Sequence, residues 1–106
     1  MNAVKIKYII ENGAFLGEQG INEWALRKEQ ILEALKEVKE KNMVVLGGDV
    51  LIKENSKYIH NYDSWSYEPD VKINREQNSS LSVQKTIDYI CSYPLSSQIY
   101  FTLVIQ

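Results

Sequence analysis

Met43–Trp65 reads MVVLGGDVLIKENSKYIHNYDSW, two runs of β-branched and aromatic residues on either side of the polar Glu54-Asn55-Ser56-Lys57. Runs of this kind, parted by turn-forming residues, predict the two strands of a hairpin. With Asn55 and Ser56 as a two-residue loop, a common hairpin length, Glu54 faces Lys57, Ile52 faces Ile59, Asp49 faces Tyr62 and Gly48 faces Asp63. The apolar pair Ile52–Ile59 and the opposite charges of Glu54 and Lys57 support this register. Gly47 and Gly48 interrupt the first strand, where glycine marks a bulge or a close backbone approach.

Ahead of the hairpin, Ile31, Leu35 and Val38 recur at helical spacing between about Lys28 and Lys41, and Leu32 and Ala34 widen the stripe. Glu37 stands four residues before Lys41, the favourable order for a helical ion pair, and Asn42 is a stop signal. Near the start, Val4, Ile6, Tyr8 and Ile10 alternate as in a strand, whereas Ala3, Ile6, Ile9 and Ile10 make a helical stripe that Gly13 would end. The helix is the preferred reading. Glu11–Trp24, with Gly13, Gly17 and Gly20, reads as a turning connection with Phe15, Leu16 and Ile21 pinned inward.

Beyond the hairpin, Ser66–Asn78 is polar, contains Pro69 and reads as a loop. Ser79, Ser80 or Ser82 would cap a second helix. Its stripe is Val83, Ile87, Ile90 and Cys91, and Pro94 ends it. Ile99–Ile105 is apolar on both faces and reads as a central strand. The order helix, helix, strand, strand, helix, strand predicts an α+β fold over residues 1–106: a single domain with a small, largely antiparallel sheet of about three strands packed by two to three helices.

Composition narrows the function classes. The 106 residues suit one domain, and 44 % hydrophobic with 25 % charged residues is ordinary for a globular protein. A formal charge of −2 offers no clustered positive surface for direct binding to nucleic acid or to an anionic membrane. No stretch approaches the roughly 20 apolar residues of a membrane helix, and no secretory leader pattern opens the chain. The lone Cys91 fits a reducing, cytoplasmic setting.

Three places could carry chemistry. Gly47-Gly48-Asp49 lacks the Lys-Ser/Thr and the following helix of a phosphate loop, so it reads as a structural feature of the strand. Asp49, His60 and Asp63 are the one set with metal or acid–base potential, but strand alternation sends His60 and Asp63 to opposite sides, and a metal needs convergent ligands. No metal or cofactor is therefore expected. Cys91, on the apolar stripe of the second helix, reads as buried.

Tyr62–Asp70, YDSWSYEPD, says most about function. It interleaves Tyr62, Trp65 and Tyr67 with Asp63, Glu68 and Asp70 and holds no basic residue. Aromatic anchors beside charge are the material of binding hot spots, and the carboxylates would steer a basic partner. Against this, a large aromatic such as Trp65 at a strand end normally buries its area.

Taken in order, Gly20–Leu26 (GINEWAL, containing Trp24), Val45–Val50 (VLGGDV), Tyr62–Trp65 (YDSW), Ser82–Ile90 and Tyr100–Val104 (YFTLV) resemble the immunity protein 40 family, bacterial proteins encoded beside polymorphic toxins. The likeness covers nearly the whole chain. The chain departs from the family pattern at Ser64, where asparagine is usual, at Arg27, where a hydroxyl residue often starts the helix, and at Thr86, where alanine is usual. The resemblance implies a protein that binds one cognate toxin in the cytoplasm, blocks it and performs no chemistry. A basic toxin such as a nuclease would suit the acidic segment. Two other readings stand beside it: a small metal-dependent hydrolase using Asp49, His60 and Asp63, and a homodimeric module pairing its last strand across a two-fold axis.

Overall fold

Ile31, Ala34, Leu35 and Val38 all fall on one buried side of helix α2 (Lys28–Glu40), as their spacing predicts. Gln30 Oε1 accepts the Arg27 N–H (2.8 Å) at its start. At its end Asn42 takes the left-handed conformation (φ 52°). The Asn42 N–H then reaches Lys39 O and the Met43 N–H reaches Val38 O, both at 3.0 Å, closing the last turn as a Schellman motif does. The Glu37–Lys41 ion pair forms at 2.9 Å.

In the computed structural model, which describes residues 6–94 and 96–106, the preferred helical reading near the start holds: helix α1 runs over Lys7–Asn12 and stops at Gly13. Ala3 and Val4 lie outside the described residues. No side chain of its own caps α1. Glu37 of α2 does so, accepting the backbone N–H groups of Lys7 (2.7 Å) and Tyr8 (3.1 Å).

The following connection is more ordered than a plain turn. Strands β1 (Ala14–Phe15) and β2 (Trp24–Ala25) pair antiparallel around a 3-10 turn at Gly17–Gln19. Of the apolar residues expected inward, only Leu16 is buried; Phe15 is 51 % and Ile21 39 % exposed. Successive strand residues point to opposite faces, so Phe15 and Leu16 cannot both face the core, and Phe15 rests on Trp24 instead (ring centroids 4.9 Å apart).

The main sheet is antiparallel and centred on β3 (Val45–Glu54). Strand β4 (Lys57–Ser66) lies on one side, and β5 (Ile99–Phe101) and β6 (Val104–Ile105) lie on the other. The last segment is thus not the central strand and is broken in two. Its break falls where the Thr102 hydroxyl accepts the Asp49 N–H (3.1 Å) and the Thr102 N–H donates to Asp49 O (3.0 Å). It is apolar on both faces because both are covered: Phe101 and Ile105 face the helices, and Tyr100 packs on the opposite side with Leu16, Ala25 and Leu51. Beyond β5, Leu26 exchanges two backbone hydrogen bonds with Phe101 (2.7 and 2.8 Å), occupying the β5 edge at that residue.

The β3–β4 hairpin keeps the predicted register from Glu54↔Lys57 through Ile52↔Ile59 to Leu51↔His60. It then slips. Asp49 faces Ser64 and Gly48 faces Trp65, not Tyr62 and Asp63, because Asn61, Tyr62 and Asp63 bulge outward opposite the single residue Val50. On the free edge of β4, Gln19 imitates a strand: its amide accepts the Tyr58 N–H and donates to Tyr58 O, both at 2.9 Å.

Helix α3 (Arg75–Cys91) begins four or more residues earlier than the serines suggested. Asn74 is the cap: its Oδ1 accepts the Gln77 N–H (2.8 Å) and Gln77 Oε1 accepts the Asn74 N–H (3.1 Å), a capping box. Ser79 and Ser82 are instead buried inside the helix, and the Ser82 hydroxyl accepts the Val45 N–H at 2.9 Å. Cys91 is exposed, contrary to expectation. The core face runs through Ser79, Ser82, Val83, Thr86 and Ile90, and Cys91 lies a further 100° or so round the helix.

The helices cover one face of the sheet, over Val45, Val50, Trp65, Phe101 and Ile105. On the other, Leu16 and Ala25 pack against Leu51 with Tyr58 and Tyr100. Asp49 and His60 stand on this second face, beside the bulge.

Candidate partner-binding surface

Trp65 is only 7 % exposed. Its indole Nε1 donates to Thr86 Oγ1 (3.0 Å), and its ring stacks on Tyr89 (4.9 Å) and stands edge-on to Phe101 (6.4 Å). The glycine pair is explained by the same packing. A Cβ on Gly48 would collide with the Thr102 carbonyl and stand 2.5 Å from Trp65 Cη2, and Gly47 adopts φ 147°, with the Trp65 carbonyl where a Cβ would be. Gly47-Gly48 is a close backbone approach. Trp24, half-buried against Phe15, also belongs to the framework.

Tyr62 is the opposite case. It is 91 % exposed, at the tip of the bulge, and holds a left-handed backbone (φ 72°) that is uncommon for a bulky residue. Polar braces hold it there. Its N–H donates to His60 Nδ1 (2.7 Å), and His60 Nε2 lies 3.2 Å from Asp49 Oδ1. The next amide, Asp63 N–H, donates to Asn61 Oδ1 (3.0 Å), while the Tyr93 hydroxyl donates to Asp63 Oδ2. Burial, then the Asp63 and Tyr89 hydrogen bonds, raises the Tyr93 phenol well above the usual tyrosine range, so it stays a donor.

Asp49 and His60 are therefore brought together, and Asp63 is not: it is held by Tyr93, whose ring packs on Tyr89 and Phe101 at the helical face. Among the described residues, no group of three or more His, Cys, Asp and Glu side chains is placed to hold a metal ion.

The loop after β4 is pinned by Asn78, a residue the sequence reading passed over. Asn78 Oδ1 accepts both the Tyr67 hydroxyl (2.6 Å) and the Asp70 N–H (2.8 Å), and Asn78 Nδ2 donates to Asp70 O (3.0 Å). This holds Tyr67 half-buried and leaves Glu68 and Asp70 exposed. Tyr93 and Glu23 were also passed over. Glu23, half-buried just before β2, has a carboxyl oxygen without a partner, and burial together with the nearby Asp49 raises its pKa. No local pattern announces these three; each acts through a contact distant in sequence.

The fold and this surface define a small α+β domain that displays a braced aromatic bulge among carboxylates. The sequence profile of immunity protein 40 matches residues 15–105, and the chain belongs to the immunity protein 40 family. Membership implies an immunity protein of a polymorphic toxin system and a non-enzymatic role. No curated protein and no solved structure matches the chain. No helix among the described residues is long and apolar enough to cross a membrane.

Proposed function

We propose that this protein neutralises one cognate toxin in the cytoplasm by stoichiometric binding, through the bulge and the loop beside it. Tyr62 is the anchor, Asp63, Glu68 and Asp70 form its acidic surroundings, Tyr67 stiffens the loop, and Trp65 supports the surface from beneath. The observation that carries this reading is Tyr62: an aromatic ring left almost wholly in water on a backbone conformation that must be held in place. Such strain persists only where the surroundings enforce it, and it concentrates at functional positions. A standard interface buries about 800 Å² per partner, a minor share of the 6280 Å² this chain exposes. The carboxylates favour a basic partner, as a nuclease would be, and act mainly on the rate of encounter.

Calorimetric titration against the C-terminal domain of the toxin encoded beside it should give one-to-one binding at nanomolar affinity or tighter. No binding to a folded, toxic domain would reject the reading. Glu68→Lys with Asp70→Lys should slow association at low salt and leave folding intact. An unchanged association rate would remove the loop from the interface.

A further inference from the structure

Tyr62 has no packed core to hold its backbone, so its conformation rests on polar contacts, and the one made by its own N–H goes to an imidazole. Because Nδ1 of His60 accepts the Tyr62 N–H (2.7 Å), that nitrogen carries a lone pair. A neutral imidazole has one proton. It must then sit on Nε2, which lies 3.2 Å from Asp49 Oδ1. The ring is thus an acceptor toward the bulge and carries its proton on the nitrogen nearer β3.

From this we infer that His60, as the neutral Nε2–H tautomer, is the positioning residue that fixes Tyr62 in its displayed conformation, and that the imidazolium releases it. Protonation places a second N–H on Nδ1, facing the Tyr62 N–H, and two donors cannot share that contact. The charged and titratable groups around the ring decide which side gives way. Asp49 on β3 attracts the imidazolium, Glu23 before β2 adds negative charge beside Asp49, and the Tyr62 phenol ring lies 5.8 Å away centre to centre. The ring stays on Asp49, and the Tyr62 amide loses its acceptor. A tyrosine in the left-handed region without that brace returns toward an extended conformation. The consequence for toxin binding rests on the function proposed above; the lock itself does not.

The test uses the full chain, labelled with ¹⁵N. Long-range ¹H–¹⁵N correlation at pH 8 should report the Nε2–H tautomer of His60. As the pH is lowered from 8 to 5, the Tyr62 amide shift should move together with the ring resonances of His60. Its hydrogen exchange, corrected for the intrinsic pH effect, should rise roughly tenfold, as expected for one lost hydrogen bond. His60→Phe should exchange fast at both pH values. His60→Asn, whose carbonyl replaces the Nδ1 acceptor but does not titrate, should stay protected at both. An Nδ1–H tautomer at pH 8, or Tyr62 exchange unchanged in His60→Phe, overturns the inference. Toxin affinity measured in parallel separates the two proposals. A drop at pH 5 in the wild type but not in His60→Asn supports both. A lock seen by NMR with no such difference in affinity supports the lock and removes Tyr62 from the toxin contact.

Discussion

Trp65 and Tyr62 stand three residues apart on one strand, each a large aromatic beside an aspartate or a serine, and the fold treats them in opposite ways. Trp65 is stacked, hydrogen-bonded through its indole N–H and nearly wholly buried. Tyr62 is nearly wholly exposed and sits on a backbone that only hydrogen bonds hold. The bulge makes the difference. With a regular ladder, Asp63 would have faced Gly48; the extra residues bring Trp65 there instead, over a position that has no Cβ to obstruct its ring. The same insertion that seats Trp65 expels Tyr62. One end of the strand is therefore built for stability, and its middle for display.

The largest test of this division is Trp65→Ala. Removing a buried indole costs about 3–5 kcal/mol, a large part of the 5–15 kcal/mol or so that holds a domain together. Urea denaturation should find a loss in that range. A loss below about 1 kcal/mol would mean Trp65 is not a core residue and would erase the contrast. Next is Gly48→Ala, whose Cβ meets the Thr102 carbonyl and the Trp65 ring. Overpacking of this kind costs about 1–3 kcal/mol. The same denaturation measurement, with the near-ultraviolet signal of Trp65 followed alongside, should report both the loss and a disturbed indole.

Much of the stable part is written locally, and little of the displayed part is. The α2 stripe, the Glu37–Lys41 pair and the hairpin as far as His60 follow from spacing and from cross-strand pairing, which nearby residues determine. The bulge does not. Asn61, Tyr62 and Asp63 include no glycine to announce a positive φ, and their braces come from His60 within the strand and from Tyr93, thirty residues on. The start of α3 was legible in Asn74-x-x-Gln77, but three serines nearby are equally good caps, and only burial decides that Ser79 and Ser82 lie inside the helix. Cys91 shows the limit of a stripe drawn from apolar residues alone. The helix buries Thr86 and Ser82 on its core face, where they serve Trp65 and Val45 as hydrogen-bond partners, and Ser79 beside them, whose hydroxyl has no partner among the described residues. Polar residues therefore mark part of that face, which an apolar pattern cannot see. The acidic segment was recognisable as distinctive, yet only the structure separates Trp65, the support, from Tyr62, the displayed ring.

Tyr62→Gly sharpens the comparison by reversing the usual sign of a truncation. The left-handed conformation costs a tyrosine about 1–2 kcal/mol, and glycine adopts it freely. Glycine also loosens the unfolded chain by about 0.5–1 kcal/mol. The net expectation is a gain in stability of up to about 1 kcal/mol, read from the urea midpoint, with toxin binding lost. A clear destabilisation would show that the Tyr62 ring packs against the fold, and the division between support and display would then fail.

The smallest effect concerns the acid behind the bulge. Trp65 has its one polar atom paired, whereas Glu23, next to the Asp49 that orients His60, keeps a buried carboxyl oxygen without a partner. Burial first, and Asp49 second, raise its pKa above the ordinary value of 4.5. A raised acid holds its proton more tightly in the folded state. Its contribution to stability is therefore present below the ordinary pKa and is lost as pH rises through the raised folded value. At neutral pH the ionised carboxylate opposes folding. Glu23→Gln removes that charge and should stabilise the protein at pH 7, by less than about 1 kcal/mol because the group is partly solvated. At pH 4, where wild-type Glu23 is protonated in the folded protein, the two should unfold at nearly the same urea concentration. A difference of equal size at both pH values would trace the effect to packing, and would leave the display side of the molecule without the electrostatic flaw that sets it apart from the Trp65 side.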